Sequence, residues 1–240
     1  MKIMAFGPHP DDVEFLCAGT LAKYRAQGHE VAIAVMTQGD VGSPTLSRDQ
    51  IAAVREKEAR ASAAIIGAAF FWLGYDDEFL YDSPEVRRHV VDVLRQFTPD
   101  IVLCPDKDRD YHPDHCRTGQ IVWDTHVMGM VPLIATKTPA CKRIHDIWYY
   151  DTLAAIGFEP ELYVDITDQW ETKVRMLDCH ESQNAWMKHV YGETLADSAA
   201  AQSRLRGFQT GCRYAECFRR AHEFPQRVAR DGLLPWAQEW

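Results

Sequence analysis

The sequence predicts an α/β fold: a Rossmann-like, mostly parallel, doubly wound sheet with its working edge at the strand C-terminal ends. Three observations predict it. Short apolar runs rich in β-branched residues alternate with stretches of about 12–20 residues of helical character, as in parallel strands joined by crossovers. The tripeptide His-Pro-Asp occurs at residues 9–11 and again at 112–114, although 10 His, 12 Pro and 21 Asp in 240 residues would give roughly 0.04 copies by chance. Each copy follows a strand-like run, which places both on the edge where open α/β sheets bind ligands.

Taken in order, Lys2 to Phe6 reads as a buried strand, followed by a helix from Asp12 to Gln27 that Gly28 ends. Glu30 to Thr37 (EVAIAVMT) is a second strand, and residues 39–47 form a polar loop rich in Gly, Pro and Ser. Ser47 caps a long helix through Ile66, which Gly67 closes. Phe70 to Leu73 is strand-like. Ser83 opens the helix SPEVRRHVVDVLRQF, with Pro84 at its first position. Asp100 to Cys104 (DIVLC) is a short apolar strand leading into the second His-Pro-Asp. Further strands are predicted at Ile144 to Tyr150 and Glu161 to Ile166, and helices at Thr167 to Gln183 and Thr194 to Leu205. The last 25 or so residues carry no readable pattern.

Composition narrows the function classes. At 46% hydrophobic and 25% charged residues the chain is ordinary for a globular protein, and no shift in composition divides 1–240 into more than one domain. A net charge of −9 and a pI near 5.5 exclude nucleic acid as the main partner, because backbone binding needs a basic face. The longest apolar-looking run, Ala63 to Tyr75, is too short to cross a bilayer, so no membrane is expected. The first strand starts at Lys2 with no signal peptide ahead of it, and the seven cysteines never form Cys-x-x-Cys. These features predict a cytoplasmic protein with core thiols, without a disulfide framework or a thiolate zinc site.

Helix starts alone would explain the Pro and Asp of each tripeptide. They do not explain the His before each Pro, or the Asp12 and His115 that follow. His9 and Asp12 are three apart, as are His112 and His115; where a loop turns into a helix, such residues can point into one space. His9, Asp12 and His115 would make a three-ligand His/carboxylate site with a position open to water. Bound zinc lowers the pKa of water to about 7, and Asp11, projecting elsewhere, is free to act as the base.

These residues carry a family resemblance. PHPDDVEFLCAGTL together with HPDH resembles the PIG-L/LmbE-like zinc deacetylases, whose signatures are His-Pro-Asp-Asp after the first strand and His-x-Asp-His after a later one. MTQGDVGS, VREKEARASAAIIG, KVRMLDCHESQ and RGFQTGCRYAECF are similar to segments of bacterial members acting on N-acetylglucosaminyl conjugates, the bacillithiol-type deacetylases among them. The resemblance implies metal ligands at His9, Asp12 and His115 and a general base at Asp11. It implies a carbonyl-polarising imidazole at His112, with Asp114 as the carboxylate that orients and charges it. An imidazolium there would stabilise developing negative charge.

Arg55 and Asp77 match the family's contacts to sugar hydroxyls. Asp76 is the alternative to Asp77, because the family has a small residue next and Glu78 stands there instead. The resemblance also implies one zinc (Zn2+) per chain, or Fe2+, and a homo-oligomer, trimeric or hexameric. His180 and Glu216 lie in family-like segments and read as structural. His29, His89, His126, His145, His189 and His222 have no partner at ligand spacing.

The expected function is a metal-dependent hydrolase that removes the N-acetyl group from an N-acetylglucosamine-type sugar or its conjugate. Beside it stands an amidase of the same machinery acting on a thiol conjugate or antibiotic precursor, since specificity sits in loops. A nucleotide-binding module is a third reading, drawn from the α/β pattern alone. Gly7-Pro8-His9-Pro10 stands where its glycine fingerprint would be.

Overall fold

The computed structural model describes residues 1–142 and 145–221. Its strands are β1 (Lys2–Gly7), β2 (Glu30–Thr37), β3 (Ala69–Tyr75), β4 (Ile101–Cys104), β5 (Asp146–Tyr150), β6 (Leu162–Asp165) and β7 (Ala215–Arg220). They form a sheet in the order β3-β2-β1-β4-β5-β7-β6. β1 to β5 pair in parallel, and β7 runs against both of its neighbours, β5 and β6. The mostly parallel, doubly wound sheet expected from the sequence is borne out.

The helices are α1 (Asp12–Leu16), α2 (Ala18–Ala26), α3 (Arg48–Ile65), α4 (Pro84–Phe97), α5 (Pro113–Thr125), α6 (Trp170–Asp178), α7 (Glu181–Tyr191) and α8 (Leu195–Thr210). They cover both faces of the sheet. Met4 and Phe6 of β1 pack with Val90 and Leu94 of α4 and Ile121 of α5. Ile3 and Ala5, on the other face, pack with Leu21 of α2, Ala63 of α3 and Met176 of α6. Burial on both faces is why these strands read as unbroken apolar runs. No helix among the described residues is long and apolar enough to cross a membrane.

The strand order reverses between β1 and β4, where Ile3 lies beside Ile101 and Ala5 beside Leu103. At such a switch point the following segments turn to opposite faces and leave a crevice. Both His-Pro-Asp copies leave the sheet at its mouth.

Local signals set several helix starts as expected. Ser47 and Gln50 form a capping box on α3, and Ser83 accepts from the Val86 N–H with Pro84 at the first position of α4. Two expected helices are each broken. The stretch from Asp12 to Gln27 breaks at Cys17 (φ −148°), where α2 begins. Glu216, 197 positions after Gly19 in the chain, accepts from the Gly19 N–H at 2.9 Å and the Thr20 N–H at 2.7 Å, capping α2 with a side chain from β7. The stretch from Thr167 to Gln183 becomes a 3-10 turn, α6 and the start of α7, with His180 (φ −86°, ψ 59°) at the break. His180 is fully buried, its Nε2 3.4 Å from Glu14 Oε1. The strand expected from Ile144 starts at Asp146; Ile144 itself, like His222, lies outside the described residues.

Glu216 also accepts from Lys173 Nζ at 2.7 Å, and both side chains are buried. Glu216→Ala is expected to destabilise the fold by about 3–5 kcal/mol, because it strands a buried ammonium and two helix-terminal amides. The double variant Lys173→Met/Glu216→Gln is expected to recover most of that loss. Urea titrations of the parent, Glu216→Ala, the single variants Lys173→Met and Glu216→Gln, and the double decide it: if the two single losses simply add in the double, the pair is not coupled.

Candidate active site

The site begins with backbone. After β1 the chain turns through Pro8 to Asp11, and Asp11 sits at φ 110°, ψ −24°. A non-glycine residue there carries strain on the order of 1–3 kcal/mol. Asp11 occupies the N-cap position of α1, yet its side chain does not cap the helix. The turn sends the two neighbouring carboxylates apart. Asp12 Oδ2 accepts from the His9 N–H at 2.8 Å and lies 3.1 Å from His9 Nδ1 and 3.3 Å from His115 Nε2. Asp11 Oδ2 lies instead 3.3 Å from Arg55 Nη2.

From the β4 side, His112 is the N-cap of α5, and its Nδ1 accepts from the Asp114 N–H at 3.2 Å. His115, one turn on and 1% exposed, has its Nδ1 2.9 Å from Asp110 Oδ2. An Nδ1–H held by a carboxylate fixes the tautomer that leaves Nε2 free as a metal ligand. The ligand atoms of His9, Asp12 and His115 lie within 4.8 Å of one another, and those of His9, His112 and Asp114 form a second such group. The first group fits a divalent ion better. His115 is oriented by Asp110, which leaves its Nε2 to a metal, whereas His112 spends Nδ1 on the helix cap.

Charge in the cluster follows from its packing. Burial works against charge on His115, but Asp12 and Asp110 outweigh it and push the imidazole up to about 9. Burial would raise the Asp12 carboxyl, yet His115 and His9 hold it well below the usual range. Asp11 differs: burial pushes it up to about 6, against the pull of Arg55. A carboxylate that exchanges its proton near neutrality is suited to general base work.

Other residues sit differently from their expected contacts. The sequence reading has the Asp114 carboxylate charging His112. In the structure the Asp114 backbone N–H meets the ring, because His112 caps the helix that Asp114 helps to start. The Asp114 carboxylate accepts from the Glu78 N–H at 2.8 Å and stands 3.5 Å from His9 Nε2. Glu78 is the carboxylate that faces the ring, with Oε1 3.3 Å from His112 Nε2. Burial and the neighbouring His9 and His115 push His112 down, so the ring is read as neutral, with its proton on Nε2. Glu78, at φ 67°, occupies a left-handed backbone conformation that favours glycine, and no local signal marked it as facing His112.

Asp77 rather than Asp76 enters the cluster. Its Oδ1 is 3.0 Å from His9 Nε2 and its N–H donates to Asp40 Oδ1 at 2.9 Å, while Asp76 is exposed near Arg48. Arg55 lies beneath Asp11, 4% exposed. The HESQ segment braces this region: Ser182 donates to Glu58 from both its N–H and its hydroxyl, and Gln183 Nε2 donates to the Gly42 carbonyl at 3.2 Å. His126 and His145 stack edge to face, with His126 Nε2 donating to the His145 carbonyl.

Residues 4–126 match the family model of PIG-L, described as GlcNAc-PI de-N-acetylase. The chain belongs to the PIG-L family. The matched span runs from β1 through α5, so it contains both candidate groups of this PIG-L site. A diacetylchitobiose deacetylase of Thermococcus kodakarensis is 32% identical over 233 residues, 91% of this chain and 82% of that protein. A probable N-acetyl-alpha-D-glucosaminyl L-malate deacetylase 2 of Bacillus anthracis is 27% identical over 186 residues, 74% of this chain and 79% of that one. The solved N,N'-diacetylchitobiose deacetylase of Pyrococcus horikoshii, complexed with its inhibitor MPG, matches this PIG-L fold with a TM-score of 0.80. Identity is 31%, over 92% of this chain and 83% of that chain. The family resemblance read from the two motifs is borne out.

Proposed function

We propose that this PIG-L protein is a metal-dependent hydrolase that removes the N-acetyl group from an N-acetylglucosamine-type amino sugar or its conjugate. One observation carries the reading: a buried His9–Asp12–His115 set beside a carboxylate, Asp11, that a strained turn keeps out of the set. A divalent ion held by those three residues would supply Lewis acidity and lower the pKa of water. Asp11 takes the proton of the attacking water and passes it to the amide nitrogen as the C–N bond breaks, giving acetate and a free amine. His112, neutral and with its proton on Nε2, donates to the carbonyl oxygen as negative charge builds there. In this reading Asp77, whose Oδ1 stands 3.0 Å from His9 Nε2 at the edge of the ligand set, meets a sugar hydroxyl.

In this reading the ion is zinc, with Fe2+ the other candidate. Free thiols at all seven cysteines support a reducing cytoplasm. Acetate release is measured across N-acetylglucosamine, N,N'-diacetylchitobiose and N-acetylglucosaminyl conjugates, alongside elemental analysis of the purified protein. About one ion per chain and turnover of at least one substrate are expected. Full activity in a metal-free preparation, or acetate from none of the panel, overturns the proposal.

A further inference from the structure

We propose that Glu78 is a specificity-determining residue that makes this site reject anionic conjugates. Its carboxylate lies against His112 Nε2, so the amino-sugar substrate is neutral or cationic next to the acetamide, without a carboxylate or phosphate there. The proposal rests on the deacetylase reading above and narrows its substrate class. His112 Nδ1 accepts from the Asp114 N–H, so the ring proton that can reach a substrate carbonyl is on Nε2. Glu78 Oε1 stands 3.3 Å from that nitrogen. An acetamide carbonyl that takes the Nε2–H must push the carboxylate aside, and the conjugate then lies against it.

The displaced carboxylate cannot go far. The Glu78 N–H donates to Asp114 Oδ2 at 2.8 Å and the Asp77 N–H to Asp40 Oδ1 at 2.9 Å, so two buried carboxylates pin the backbone of this loop. Only the side chain can turn, and it is half exposed at the mouth. The arginines of this rim are already engaged: Arg48 is held by Asp40 and stands 3.6 Å from Asp76, and Arg55 lies under Asp11. Asp77 and Asp114, 3.0 and 3.5 Å from His9 Nε2, add negative charge on the same side. A hydroxyl or ammonium on the conjugate can donate to Glu78 and replace the contact that it lost. A carboxylate or phosphate meets a like charge instead, with water excluded from both.

The 2-aminoethyl, 2-hydroxyethyl and carboxymethyl glycosides of N-acetylglucosamine differ in charge and little in size. Calorimetry measures their binding to the metal-loaded Asp11→Asn protein, so no turnover is needed. The carboxymethyl glycoside is expected to bind about 10-fold or more weakly than the hydroxyethyl one, and the aminoethyl glycoside at least as tightly. Glu78→Gln in the same background keeps the shape and removes the charge, and the carboxymethyl penalty is expected to fall to about 3-fold or less. Glu78→Gly, which relieves the backbone at φ 67°, is expected to do the same. Because the group is half exposed, the penalty is also expected to shrink at about 0.5 M salt.

A penalty left unchanged in both Glu78 variants overturns the proposal, as does a parent that shows no penalty or binds none of the three glycosides. In the wild type, kcat/KM on the three is expected to follow the order of binding. A wild type that hydrolyses no acetylated sugar while the binding order holds would instead sink the deacetylase reading and leave the charge rule standing.

Discussion

Asp11→Asn is expected to keep the metal and lose about 10²–10⁴-fold in kcat/KM, the usual range for a general base. Asp12→Asn, one residue on, is expected to lose the metal itself. The contrast follows from the turn at φ 110°, which leaves Asp12 between His9 and His115 and sends Asp11 to Arg55. Elemental analysis beside kinetics checks it: equal loss of metal in both variants means that base and ligand are misassigned.

The same substitution carries a stability signature. Burial pushes the Asp11 carboxyl up to about 6 in the fold, from 3.8 for an unperturbed aspartate. A raised carboxyl favours the folded state while protonated, so its contribution is full below about pH 4 and is lost as pH rises through about 6. At about 1.4 kcal/mol per pH unit, the ionised group costs on the order of 3 kcal/mol at neutral pH. Chelator-treated Asp11→Asn should therefore resist urea better than the metal-free parent at pH 7, with the gap closing near pH 4. A gap that widens on acidification would contradict the sign.

His115→Ala is expected to abolish both metal binding and acetate release, since two remaining protein ligands hold zinc poorly. His9→Ala is expected to do the same. The substitution at His115 also strips Asp110, whose side chain is almost wholly buried, of its Nδ1 contact. Asp110→Asn separates the two effects. It keeps all three ligands but loses the carboxylate that orients one of them, which is commonly worth 10–100-fold in metal affinity. Competition against a chromophoric chelator measures both. A His115→Ala protein that holds one ion per chain with parent affinity would remove His115 from the ligand set.

The candidate ligands were legible because their spacing is local. His9 with Asp12, and His112 with His115, sit within a turn of one another, and apolar strands ahead of them fixed the edge from which they project. Arg55 was legible as a motif residue, but its burial under Asp11 depends on Gly39 and Gly42, which no periodicity connects to it. Glu78 was read only as a bulky acid where the family has a small residue; its meeting with His112 spans two loops and leaves no local signal. The broken helices were hidden for the same reason. Propensity favours one long helix from Asp12, and the break is held by Glu216 arriving from the far end of the chain. Contacts set by topology leave no trace in a local pattern.

β7 sits between β5 and β6, yet it is the last of the described strands to be synthesised. A ribosome that has delivered residue 150 has made every candidate ligand and the whole parallel half of the sheet, but β5 still has an unpaired edge. β6 then emerges with no neighbour to join, because its partner is β7. Glu216 comes with β7, so the cap on α2 and the counter-ion of Lys173 also arrive late. Open strand edges flanked by apolar surface are what nascent chains use to pair with one another. The passage from residue 151 to residue 214 is therefore the interval in which a stalled or truncated chain, ligands and all, is most exposed to aggregation and most in need of a chaperone.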